Sequence, residues 1–84
     1  MRVYFDERRL LSFVRRCKER WRDFEIEKVV TKRRKQILYV RVQGFKVKLI
    51  VYGDGRLRAY GRAEGLAYAV KKIAERVLGL DKGA

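Results

Sequence analysis

The stretch KQILYVRVQGFKVKLIVYGDGRLRAY, residues 35–60, decides the fold. Apolar and polar residues alternate along it, the two-residue period of strands that bury one face. Gln43-Gly44 and Gly53-Asp54-Gly55 break the alternation with residue types that reach the positive φ of tight hairpin turns. The pattern predicts three strands, 35–42, 45–52 and 56–60, joined as consecutive hairpins and therefore antiparallel. Alternation also assigns faces. Leu38, Val40, Val42, Val47, Leu49, Val51, Leu57 and Ala59 form one aliphatic side. The other side receives Lys35, Ile37, Tyr39, Arg41, Lys46, Lys48, Ile50, Tyr52, Arg56, Arg58 and Tyr60, with no acidic residue among them.

Outward from this block, residues 24–30 (FEIEKVV) alternate too and predict a preceding strand, linked through the basic turn Thr31-Lys32-Arg33-Arg34. Before it, Asp6 offers an N-cap for a helix running to about Trp21. Leu10, Phe13, Val14, Cys17 and Trp21 fall on one face of that helix, and Arg8, Arg9, Arg15, Arg16 and Glu19 on the other. Phe5 and Leu10 have the spacing of a hydrophobic staple. Residues 2–5 read as a short strand. After Gly61, residues 62–78 predict a second helix with Leu66, Ala69, Val70, Ile73, Ala74 and Val77 on one stripe. Gly79 fits a left-handed C-cap with Leu80 as its apolar lid. The expected architecture is α+β, in the order β-α-β-β-β-β-α. An antiparallel sheet of four to five strands carries both helices on one face. One domain spans 1–80, with 81–84 a frayed tail.

Composition narrows function. The chain has 84 residues, no His, no Pro, one Cys and one Met. With Ser12, Thr31 and Cys17 the only hydroxyl and thiol nucleophiles besides tyrosine, and no imidazole, Ser-His and Cys-His catalysis are excluded. No zinc site can be built from one Cys without His, and no cofactor motif stands out. Asp23, Glu25 and Glu27 are a carboxylate group that a metal-dependent nuclease would need, but ion pairing with nearby Arg and Lys accounts for them. The expectation is a non-enzyme. Apolar runs are too short to span a membrane and the N-terminus is charged too early for a signal peptide, so a cytoplasmic protein is expected. No Asn, two Gln and a surface of Lys, Arg and Glu resemble the composition of hyperthermophile proteins.

The net charge is +13, and it is unevenly placed. Residues 1–27 carry eight basic and six acidic groups, residues 62–84 five and three, and residues 28–61 ten and only Asp54. The excess lies in the sheet, not the helices. Basic groups neutralise phosphates and flat rings stack on bases, so the open face of the sheet is the expected nucleic-acid-binding surface for DNA or RNA.

The run LIVYGDGRLRAYG, residues 49–61, is similar to a stretch of TATA-box-binding proteins, and AVKKIA, residues 69–74, to the second helix of a half-repeat of archaeal members. The predicted element order is that of one half of that saddle. The resemblance places Tyr52 at a DNA-kinking wedge, Lys35 at the other wedge and Ile37 and Ile50 at apolar minor-groove contacts. It places Arg58 and Tyr60 at small groove-facing positions and Arg41 at a phosphate contact. Lys35 and Arg58 make this face more charged than the family's. A single half implies a homodimer to complete a saddle. Two alternatives stay open: a double-stranded-RNA-binding-like module, whose Lys-rich second-helix start is here Gly61-Arg62-Ala63-Glu64, and a non-enzymatic subunit docking an acidic protein partner.

Overall fold

The first helix starts where a side chain can terminate it. The Asp6 carboxylate accepts from the Arg9 amide at 2.8 Å and caps helix α1 (Glu7–Arg20). The computed structural model describes residues 4–80, and within them α1 is followed by β1 (Glu25–Thr31), β2 (Lys35–Val42), β3 (Phe45–Tyr52), β4 (Leu57–Gly61) and α2 (Glu64–Leu78). The strands form one antiparallel sheet in the order β1-β2-β3-β4. The α+β class and the hairpin order therefore hold, with four strands.

The two-residue β2–β3 hairpin pairs Val42 with Phe45 across Gln43 and Gly44, whose φ values are 51° and 80°. That double positive φ suits the right-handed twist of the flanking strands. In the β3–β4 turn only Gly55 is left-handed, at φ 98°. Gly53, expected to share that role, instead donates its N–H to the Arg34 carbonyl at 3.0 Å and ties the turn to its neighbour. Gly61 is needed for a different reason: a Cβ there would lie 2.9 Å from the Lys46 carbonyl oxygen.

Both helices cover one face of the sheet. Leu38, Val40, Val42, Val47, Leu49, Val51 and Leu57 pack there against Phe13, Cys17, Trp21, Val70, Ile73 and Ala74. Phe13 bridges Phe5 (centroids 5.0 Å apart) and Phe24 (5.7 Å, edge-on). The α2 stripe is rotated slightly from the expected one. Ala67, Val70, Ile73, Ala74 and Leu78 are buried, with Leu66, Ala69 and Val77 at the margin. The helix also starts two residues later than expected, at Glu64, and its N-cap Ala63 offers no side-chain acceptor. Its end is as expected: Gly79 has φ 73° and the Leu80 amide donates to the Glu75 carbonyl at 2.8 Å.

The expected N-terminal strand falls partly outside the described residues, and the 81–84 tail lies wholly outside them. Its described part, Tyr4 and Phe5, is not a strand. A side chain holds it instead. Gln36, 3% exposed, sits on the helix-covered side of β2. Its Oε1 accepts from the Phe5 amide at 2.8 Å, and its Nε2 donates to the Phe5 carbonyl at 3.2 Å and to Thr31 Oγ1 at 3.0 Å. One carboxamide thus gives Phe5 the pair of bonds that a neighbouring strand would give it, and Phe5 can close the core.

Candidate nucleic-acid interface

Register builds the uncovered face row by row. Lys28, Tyr39, Lys48 and Tyr60 lie side by side across the four strands, and next to them Val30, Ile37, Ile50 and Arg58. Lys35 pairs with Tyr52 at one end, and Glu25, Arg41 and Lys46 form a row at the other.

A bulge in β1 sets this arrangement. Ile26 pairs with Val40 and Lys28 with Tyr39, so Glu27 is the extra residue. Strict alternation from Phe24 would turn Lys28 toward the helices. The bulge moves it to the open face and returns Val29 to the phase of Leu38. Lys28 is therefore a residue of the face that periodicity alone leaves out. Its signal was a lysine on the apolar phase of a strand, which marks a break in phase.

The same strand brings acids. Glu25 and Glu27 face Arg41: Arg41 Nη2 donates to Glu27 Oε2, and its Nε lies 3.9 Å from Glu25 Oε1. The Arg41 hydrogen bond, aided by the Arg41 and Lys46 charges, holds the Glu27 carboxyl below its usual range. The face is thus not free of carboxylates, and the arginine that the resemblance placed on a phosphate is already neutralised. Arg56 is similarly engaged, its Nε on Asp54 Oδ2 at 2.8 Å. Among the described residues, Lys28, Lys35, Lys46, Lys48 and Arg58 have no carboxylate within ion-pair distance. The Lys32-Arg33-Arg34 turn extends this cationic run, held by the Tyr4 hydroxyl on the Arg33 carbonyl at 3.3 Å and by Gly53 on Arg34.

The two isoleucines, expected as apolar contacts, are only 6% and 7% exposed. Their same-face neighbours are Lys35 and Tyr39 for Ile37 and Lys48 and Tyr52 for Ile50, long side chains whose stems can shield apolar surface while the polar end stays in water. The tyrosines differ. Tyr39 and Tyr52 are half-buried, with Lys48 Nζ 5.9 Å from one ring centroid and the Arg56 guanidinium 5.3 Å from the other. Tyr60 is 49% exposed, and among the described residues no cation covers its ring. A hollow of about 490 Å³ opens between Tyr39 and Tyr60, lined also by Lys28, Lys46, Lys48 and Glu27. A larger, open hollow of about 1160 Å³ runs along the outer side of α1, but its lining mixes Glu7 and Glu19 with Arg8, Arg15 and Lys18 and has no aromatic ring.

Elsewhere the chemistry is quiet. Cys17 is fully buried, and burial pushes its thiol up to about 12, as a core residue rather than a nucleophile. Among the described residues no three metal-ligating side chains cluster, and no helix is long and apolar enough to cross a membrane. No family model matches the chain, and neither a curated protein nor a solved structure matches it.

Proposed function

We propose that this protein binds nucleic acid through the open face of its sheet, with cations on the phosphate backbone and tyrosine rings against the bases. The observation that carries the reading is the set of cations Lys28, Lys35, Lys46, Lys48 and Arg58, without an ion-pair partner among the described residues and interleaved with tyrosines on one face of the sheet. Like charges held this close repel one another, a cost that a polyanion removes by releasing its counterions into solution. The helix-covered side of the sheet has no part in it, and the outer side of α1 mixes both signs of charge.

About four to six phosphate contacts give a log K against log salt slope of roughly −3 to −5. Lys48→Ala lowers affinity for all sequences alike and reduces the slope by about one unit. Arg41→Ala has a smaller effect, because Glu25 and Glu27 already neutralise that guanidinium. Arg15→Ala, an equal charge change on the outer side of α1, is the control. Titrations of a labelled oligonucleotide at several salt concentrations decide the matter. The reading fails if Arg15→Ala weakens binding more than Lys48→Ala does.

A further inference from the structure

Resting on that reading, we propose that the ligand is a single strand, DNA or RNA, with an unpaired base entering the hollow between Tyr39 and Tyr60. The hollow, about 490 Å³, is within the size range of small-molecule pockets and has room for a nucleobase. Its lining is two-sided in character. Lys28, Lys46 and Lys48 are cations for a phosphate path, whereas Glu27 is a carboxylate. A carboxylate repels phosphate but accepts from the N–H groups that a base carries on its pairing edge. Its Oε2 is held by Arg41, which leaves Oε1 as the acceptor. Those N–H groups are free only when the base is unpaired.

The aromatic positions point the same way. Tyr60 is the half-exposed ring of this face with no cation over it among the described residues, so its face is open to stacking. In a duplex each base face is covered by its neighbours, and a ring can stack only on a base that is unstacked. The alternative of pressing into a minor groove needs exposed apolar wedges. Here Ile37 and Ile50 are 6% and 7% exposed, Tyr52 carries the Arg56 guanidinium 5.3 Å from its centroid, and Lys35 is charged. The face is built to stack and not to wedge.

The test uses the full 84-residue chain. Fluorescence anisotropy compares single strands of about 12 nucleotides, DNA and RNA in separate arms, with duplexes of the same sequence at matched salt. The single strand is expected to bind about tenfold more tightly than the duplex, the scale of one stacked base. Tyr60→Ala is expected to weaken single-strand binding about tenfold without changing its salt slope, and Tyr60→Phe, which keeps the ring, to retain it. The relative affinities of the DNA and RNA arms say which backbone is preferred. Duplex binding as tight as single-strand binding, or an unaffected Tyr60→Ala variant, overturns the single-strand inference while leaving nucleic-acid binding in place. Absence of salt-sensitive binding to every oligonucleotide overturns both.

Discussion

Leu49 and Ile50 are neighbours on β3 and face opposite ways, at 0% and 7% exposed. The two burials look alike in extent and differ in what does the covering. Leu49 lies under two helices, among side chains fixed by their own packing. Ile50 has Lys48 and Tyr52 as its same-face neighbours on β3 and pairs with Ile37 and Arg58 across the sheet. That second cover consists of long side chains whose charged ends prefer water and repel one another. A cover of packed helix side chains is fixed, whereas long solvated side chains can collapse into space made beneath them, so equal exposure conceals unequal capacity to repack.

Truncation measures that difference most strongly. Leu49→Ala leaves a cavity between sheet and helices and should cost about 3–5 kcal/mol in denaturant unfolding. Ile50→Ala should cost about 2 kcal/mol, since the surrounding stems can collapse into the space. Equal losses would break the distinction between the two covers.

Gln36 tests how the helix-covered side is completed. Gln36→Leu strands the Phe5 amide and carbonyl and the Thr31 hydroxyl, at a cost of about 1–3 kcal/mol. A loss below a few tenths would mean that Phe5 is held by its ring packing alone. On the open side the sign reverses. Arg58→Met keeps a long side chain opposite Ile50 and removes one of the mutually repelling charges. Stability should rise by about 0.3 kcal/mol at low salt, and the gain should vanish at high salt. A loss at low salt would show that the cations are not in conflict.

The last effect is absent at neutral pH and appears only in alkali. Folded Cys17 keeps its proton to about 12, whereas an unfolded thiol ionises near about 8.5. Between those values the unfolded state has lost a proton that the folded state retains, so stability falls as pH rises. Cys17→Ala starts lower because of its cavity but should show a shallower decline across that window. Parallel declines in the two proteins would remove the thiol from the account.

Periodicity made most of this legible. β2 and β3 begin and end where alternation and the hairpin glycines put them, because a one-residue slip would turn every aliphatic side chain to water. The Asp6 and Gly79 caps were readable for a local reason too: capping needs particular residues at fixed offsets. What was not legible depended on contacts distant in sequence. The bulge at Glu27 left only one local sign, a lysine on the apolar phase, yet it moves Lys28 to the open face and brings Glu27 beside Arg41. Faces read from three strands showed cations only, and the acids came with the fourth. The role of Gln36 depends on Phe5, 31 residues away. A lone carboxamide on the buried phase of a strand, followed by Leu38, Val40 and Val42, was nevertheless a sign that some backbone would meet it there.

The Gln36 clasp has a consequence for how the molecule breathes. Strand amides inside the sheet are released to solvent only when whole strands separate. The Phe5 amide is released when one side chain rotates and the N-terminal segment lifts, with every strand still paired. In deuterium oxide the Phe5 N–H should therefore exchange through a small local opening, well ahead of the amides of Leu38 or Leu49. Because Phe5 also packs on Phe13, that opening loosens the contact of the segment with α1 while the strands stay paired. The chain would then have a soft edge that reaches the basic turn, since Tyr4, next to Phe5, holds the Arg33 carbonyl through its hydroxyl.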